Sequence, residues 1–263
     1  PIAATNCLNF GSPEKPEVMW QFSQAIDGLR EACVALEAPI TGGNVSFYNE
    51  TLGKSIYPTP VIGILGVLED ADKVLKIAFR NEGDAILLLD GADATSPPEA
   101  NLAQEFSSSE YAKTIEGIVA GKPPAIDLQA EKRLIDCLLA LASAGAVHSA
   151  HDLSDGGLTI AVAECCFAAK GLGAAVNVEG EGNAEQALFG ERGARAIVSV
   201  APGKVGAVLA SARQYKVGAR EIGKVTRDNA LRIQFKEGVV IQSTVSALED
   251  IWANSLERML AQR

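Results

Sequence analysis

Apolar and polar positions follow two different periods along this chain, and the switches between them divide it into elements. Ile2-Ala3-Ala4-Thr5 reads as a strand in progress, and Ser12-Pro13-Glu14-Lys15-Pro16 as a rigid turn. Val18, Met19, Phe22, Ala25, Ile26, Leu29, Cys33 and Leu36 then recur at helical spacing and form one apolar stripe. Pro16 and Glu17 suit the first turn of that helix, where a missing N–H costs nothing and an acid meets the positive end of the dipole. Pro39 ends it. Thr41-Gly42-Gly43-Asn44-Val45-Ser46 reads as a loop, because glycine pairs permit tight backbone geometry. Residues 61–68 are a continuous, largely β-branched run, expected to be a strand covered on both faces.

The acidic turn Glu69-Asp70-Ala71-Asp72 suggests a boundary between a domain over 1–72 and another over 73–263. Beyond it, 84–89 is a short buried strand and 94–109 a polar, Pro/Ser-rich surface loop. Leu134, Ile135, Leu138, Leu139 and Ala142 mark a second helix, ended by Gly145. A strand over 147–150 runs into His151-Asp152-Leu153-Ser154-Asp155-Gly156-Gly157, and 158–169 resumes a helix apolar almost all round, hence central. Strands over 174–179, 194–200 and 231–235, a helix near 204–215, a hairpin return over 239–243 and an amphipathic helix over 247–260 complete the pattern. Strands mixed with helices and a terminal hairpin imply an α+β fold with mixed sheets packed against helices.

Composition narrows the function. The 263 residues carry a net charge of −10 and 48% hydrophobic content, as in a globular protein with a sizeable core. That balance argues against nucleic acid as a partner, since no basic stripe is available to displace counterions. An anionic ligand must be held locally, by backbone N–H groups, a few basic side chains or a bridging cation. Cys7, Cys33, Cys137, Cys165 and Cys166 lack metal-ligand spacing and read as reduced thiols of a cytoplasmic protein. With only His148 and His151, a histidine-rich metal centre is excluded. No apolar run approaches membrane-spanning length. The chain opens on Pro1, in what reads as a strand already under way, so it is expected to be part of a longer protein with an incomplete first domain and some apolar surface left uncovered.

Three stretches carry candidate chemistry, each with a structural alternative. His151 to Gly157 can handle a phosphate or metal at a helix N-terminus; equally, Asp155 can cap the helix, the glycines make the turn and His151 hold backbone carbonyls. Asn6 and Asn9 can hydrogen-bond a ligand or serve as turn residues. Ser46 lacks a nucleophile elbow and suits a hydrogen bond to substrate. Cys7 has no basic neighbour in sequence to activate its thiol, which favours packing.

Taken in order, Asn6-Cys7-Leu8-Asn9-Phe10-Gly11, Pro13-Glu14-Lys15-Pro16-Glu17, the run from Gly43 to Thr51, Pro58-Thr59-Pro60 and His151 to Leu158 resemble phosphoribosylformylglycinamidine synthase across essentially the whole chain. Ser109-Glu110-Tyr111 and Leu188-Phe189-Gly190-Glu191 are smaller matches to that family. The resemblance implies a pair of domains like those of aminoimidazole ribonucleotide synthetase, within the second half of a two-half synthetase. It implies a ligase that uses ATP and Mg²⁺ to phosphorylate the amide oxygen of formylglycinamide ribonucleotide. Glutamine-derived ammonia then displaces the phosphate. It also implies a separate glutaminase subunit and a small accessory subunit as partners. Residue by residue, Gly43 falls where the family approaches ATP by its backbone, Asn44 at a magnesium ligand and Ser46 at a substrate contact. Asn6 stands where the family has an ATP-contacting aspartate, and brings an amide without a charge. The family's catalytic histidine and remaining metal carboxylates belong to the other half, so no catalytic residue is expected here and the piece alone is expected to be inactive. A non-catalytic docking half is the competing reading; another ATPase of the superfamily, such as selenophosphate synthetase or a hydrogenase maturation ATPase, is a further one.

Overall fold

The computed structural model describes residues 1–92, 102–180 and 182–261, in two compact units, Pro1–Ala71 and Asp72–Arg263. The first contains β1 (Ala3–Asn9), α1 (Pro16–Ala35), β2 (Ile40–Ser46), the short pair β3 (Glu50–Thr51) and β4 (Lys54–Ser55), and β5 (Thr59–Leu65). β1 is the central strand of a three-stranded sheet, parallel to β2 and antiparallel to β5. Leu8 of β1 and Phe10, just beyond its end, enter a small core with Val18, Phe22 and Leu29 of α1, where the Phe10 and Phe22 rings meet edge-on at 5.3 Å.

Three expectations for this unit are corrected. The Gly-Gly-Asn stretch is not a loop: it is β2, because its backbone groups find partners in β1, more than thirty residues earlier, which local turn chemistry does not register. The run 61–68 is a strand only to Leu65 and is not covered on both faces. Ile64 and Leu65 are each 60% exposed, because β5 is an edge strand and the small core forms at β1. The α1 stripe is likewise shallower than its periodicity suggests, since Val18 is buried but Met19 and Ile26 are exposed.

The second unit runs β6 (Ala85–Asp90), α2 (Leu102–Ser107), α3 (Glu110–Ile115), α4 (Leu128–Ser143), β7 (Ser149–Asp152), α5 (Gly157–Phe167), β8 (Gly173–Val178), α6 (Ala184–Phe189), β9 (Arg195–Val200), α7 (Val205–Gln214), β10 (Gly218–Thr226), β11 (Ala230–Phe235), β12 (Gly238–Thr244), α8 (Val245–Ala253) and α9 (Ser255–Ala261). Seven strands form one sheet in the order β12-β11-β8-β10-β6-β9-β7, with β11 and β8 parallel and the other neighbours antiparallel. The fold is the expected α+β one with mixed sheets.

The continuous apolar sequence of β6 reflects burial on both sides. Ile86 and Leu88 join a core with Leu158 and Val162 of α5, whereas Leu87 and Leu89 join another with Leu134 and Leu141 of α4 and Val208 of α7. The helix expected to be central is α5, with eight of its residues buried. Of the loop expected over 94–109, residues 94–101 lie outside the described residues, and 102–107 are α2. Among the described residues, no helix is long and apolar enough to cross a membrane.

Candidate functional site

The six candidate residues of the first unit sit on adjacent parallel strands. Asn6 lies opposite Gly43, Cys7 opposite Asn44 and Asn9 opposite Ser46. Side chains alternate across a sheet, so these pairs divide between its faces. Asn6 shares the face of Leu8, toward α1; Cys7, Asn9, Asn44 and Ser46 share the opposite face. The structure thus brings Asn6 to Gly43 and Asn44 near Ser46, but separates the first pair from the second.

At Gly43 the backbone adopts φ 153°, and an added Cβ would stand 2.5 Å from the Asn6 carbonyl oxygen and 1.8 Å from its Oδ1. The close approach that demands glycine here is therefore made by Asn6 of the same chain. On the other face, the Cys7 thiol donates to Asn44 Oδ1 over 3.4 Å. Asn9 Nδ2 donates to the carbonyls of Cys7 at 3.2 Å and Thr59 at 3.3 Å, stitching β1 to β5.

Ser46 is held by a residue that sequence reasoning did not single out. Asn49 Nδ2 donates to Ser46 Oγ at 3.1 Å and to the carbonyls of Ser46 and Phe10, both at 3.0 Å. The signal was present as an amide three residues beyond the serine, a spacing typical of polar turns. Tyr48, at φ 60°, donates its backbone N–H to the Gly11 carbonyl in the same turn. Lys15 reaches Glu50 at 2.5 Å, and this contact holds the Glu50 carboxyl below the usual carboxylate range. Tyr48 Oη donates to Glu14 at 3.3 Å, and the Glu14 charge raises the phenol's pKa. The Pro-Glu-Lys-Pro turn and the residues after Ser46 are in this way tied together.

β1, β2 and β5 contain no Asp, Glu, Lys, Arg or His. An anionic ligand on this sheet would meet backbone N–H groups, amides, a hydroxyl and a thiol. Asn44 can give a magnesium ion one neutral oxygen, yet Mg²⁺ favours carboxylates and phosphate oxygens, and the strands offer no carboxylate. Among the described residues, no group of three or more His, Cys, Asp or Glu is placed to hold a metal. The side chains present do not by themselves make a magnesium site.

In the second unit, three sequence motifs meet at one carboxylate. Glu191 Oε1 accepts from the backbone N–H of Glu110 at 2.8 Å and of Gly156 at 2.7 Å. The Tyr111 and Phe189 rings lie 4.7 Å apart, and Gly157, at φ 62°, leaves no room for a Cβ against the Gly190 carbonyl at 2.7 Å. Gly156, in the left-handed region, is the N-cap of α5 in place of Asp155. His151 reaches Glu164 Oε2 with Nε2 at 2.8 Å and Asp152 Oδ1 with Nδ1 at 3.2 Å, so it pairs with carboxylates, not carbonyls.

The cysteines differ sharply in environment. Burial pushes the Cys137 thiol up to about 11 and Cys166 to about 12, and Cys165 is raised further by the same cause. Since the thiolate is the nucleophile, these three are unreactive at pH 8 in the folded chain, whereas half-buried Cys7 and Cys33 are accessible. Brief iodoacetamide treatment at pH 8 followed by mass spectrometry is expected to label Cys7 and Cys33 alone. Labelling of Cys165 at the same rate as Cys7 would contradict the packing of α5.

Comparison with known proteins places this geometry in a family. The sequence model for the N-terminal domain of AIR synthase related protein matches residues 1–68, and that for its C-terminal domain matches residues 81–236. Phosphoribosylformylglycinamidine synthase subunit PurL of Moorella thermoacetica is 41% identical over 262 residues, covering 100% of this chain and 34% of that protein. The subunit of the same name from Thermobifida fusca is 44% identical over 263 residues, covering 100% and 32%. The chain therefore spans about a third of the length of these relatives. The structure described as T. maritima PurL complexed with FGAR shares the fold, with a TM-score of 0.74 at 21% identity over 95% of this chain and 39% of that one. With both domains matched in order, and the second over more than half of its residues, this chain belongs to the AIR synthase related protein family.

Proposed function

We propose that the chain works as part of a PurL-type synthetase, an ATP-dependent carbon–nitrogen ligase converting formylglycinamide ribonucleotide and glutamine-derived ammonia to the amidine. The observation that carries this reading is the uninterrupted likeness, at 41% and 44% identity across the whole chain, to subunits bearing that name. The chemistry needs activation because an amide oxygen is a poor leaving group. Transfer of the γ-phosphoryl group of ATP to that oxygen gives an iminophosphate and ADP; ammonia adds at the carbon, the C–O bond breaks, and inorganic phosphate departs.

In this reading residues 1–72 are the ATP-facing domain and 73–263 its C-terminal α+β partner. Gly43 and Asn6 are the nucleotide contacts, Asn44 is one magnesium ligand and Ser46 donates a hydrogen bond to substrate, although the opposite-face placement of Asn6 weighs against its sharing one site with Asn44. The uncharged sheet supports recognition by amides and backbone N–H groups, which bind phosphate without adding charge. A separate glutaminase subunit, a small accessory subunit and a cytoplasmic location complete the proposal. The 263 residues alone are inactive on this account.

A second reading, a docking half that binds no nucleotide, is favoured by the lack of a carboxylate on the strands beside Asn44 and by the packing of Asn6 against Gly43. Calorimetry with Mg²⁺-ATP on the chain assembled with the rest of its synthetase separates the two. Asn44→Ala is expected to weaken nucleotide binding about tenfold, in line with loss of one ligand from a metal–nucleotide site. Unchanged affinity would leave the docking reading standing. Failure of the assembled protein to form amidine from ATP, substrate and free ammonium would sink the ligase proposal itself.

A further inference from the structure

Beside the start of the His151 to Gly157 motif, the second unit contains a cavity of about 280 Å³ lined by Ile77, His151, Glu164, Phe167, Glu249 and Trp252, among others. Its walls combine two features that water alone does not reward. The Phe167 and Trp252 rings lie 5.6 Å apart with planes at 40°, and the indole remains 57% exposed. Two carboxylates accompany the rings. Glu164 is oriented by His151 at 2.8 Å. Glu249 lies three residues before Trp252 on α8, on the same helix face, and has no hydrogen-bond or ion-pair partner among the described residues. Among the described residues, no lysine or arginine lines the space.

We propose that this cavity binds a small organic cation of the alkylammonium class. The negative faces of Trp and Phe attract a cation that sheds part of its hydration, and the carboxylates supply charge of the required sign. An anion would meet two like charges, and a neutral apolar molecule would use the rings while gaining nothing from Glu249. The volume, just below the roughly 300–1,000 Å³ usual for small-molecule sites, limits the ligand to about a dozen heavy atoms. This inference is independent of the ligase proposal, because none of its residues belongs to the sheet that carries Asn44.

The chain has two tryptophans, Trp20 and Trp252, so Trp20→Phe leaves the cavity indole as the only one. Titrating that variant with choline, and in parallel with its neutral isostere 3,3-dimethylbutan-1-ol at constant ionic strength, reads the site directly. Choline is expected to produce a saturable change in emission and the alcohol to bind about tenfold or more weakly. Glu249→Gln should weaken choline about threefold or more, and Trp252→Leu should abolish its calorimetric heat. Equal binding of the two probes would mean an apolar niche only and overturn the proposal; so would a non-saturable response, or choline affinity unmoved by Glu249→Gln. If Trp252→Leu does not fold, the probe pair and Glu249→Gln still decide.

Discussion

Replacing Gly43 with alanine is expected to destabilise the first unit by about 3 kcal/mol, the combined cost of a strained backbone and a forced shift in a packed sheet. The backbone at Gly43 has φ 153°, and the new methyl group would meet Asn6 twice, at its carbonyl oxygen and at its side-chain oxygen. The two collisions differ in kind. A side chain can rotate away, but the carbonyl belongs to β1, whose pairing with β2 and β5 fixes it. Asn6→Ala should therefore rescue Gly43→Ala only in part, by about 1 kcal/mol, as coupled neighbours do. Each unit holds one tryptophan, Trp20 on α1 and Trp252 on α8, so single-tryptophan variants report each separately. In urea the Trp20 transition should move to lower concentration while that of Trp252 stays in place. A Trp20 midpoint unchanged by Gly43→Ala would show that the sheet absorbs the methyl group, and the account of this position would fail. On the synthetase reading proposed above, the same substitution displaces Asn44 and Ser46, which follow on the same strand, so nucleotide binding by the assembled protein should fall with it.

How much of this could be read from the residues depends on where each element finds its partners. α5 was legible because an apolar surface on all sides needs only local sequence to recognise, and burial then follows. α1 was legible in extent, yet its stripe overstated burial, since periodicity reports which face turns inward and not how much covers it. β10 escaped detection. No element was expected over 216–230, where Gly218, Arg220, Glu221, Gly223 and Lys224 leave little apolar pattern, although the strand is central, between β8 and β6. Only Ile222 and Val225 are buried there, and a register shift between Glu221 and Gly223 breaks the alternation by which a strand is recognised. α6 was missed for its brevity, although Asn183 and Gln186 form a capping box at its start. At the candidate site, the residue types at 6, 43, 44 and 46 were legible, but their division between two faces was not. That division follows from the parallel register of β1 and β2, a non-local fact.

The second large effect is expected at a residue that the motifs contained without explaining. Glu191 closes a short matched run, and its single oxygen Oε1 accepts two backbone N–H groups, one at the start of α3 and one at the turn into α5. Glu191→Ala leaves both donors without their acceptor at a junction where Gly157 is already in contact with the Gly190 carbonyl. Hydrogen bonds to a charged acceptor contribute about 1.5–3 kcal/mol each, and partial exposure of the carboxylate lets water replace some of that, so a net loss of about 2–3 kcal/mol is expected. Glu191→Gln keeps an acceptor oxygen in reach and should lose only about 1 kcal/mol, because the amide lacks the charge but not the geometry. Hydrogen exchange tests the mechanism more sharply than a melting temperature does. In Glu191→Ala the amides of Glu110 and Gly156 should exchange faster, together with the first turns of α3 and α5, while the β6 amides keep their protection until global unfolding. If β6 loses protection in step with Gly156, the carboxylate supports the whole sheet and not this junction. If neither amide changes, the two hydrogen bonds carry no weight, and the convergence of the three motifs at Glu191 is left without an energetic cause.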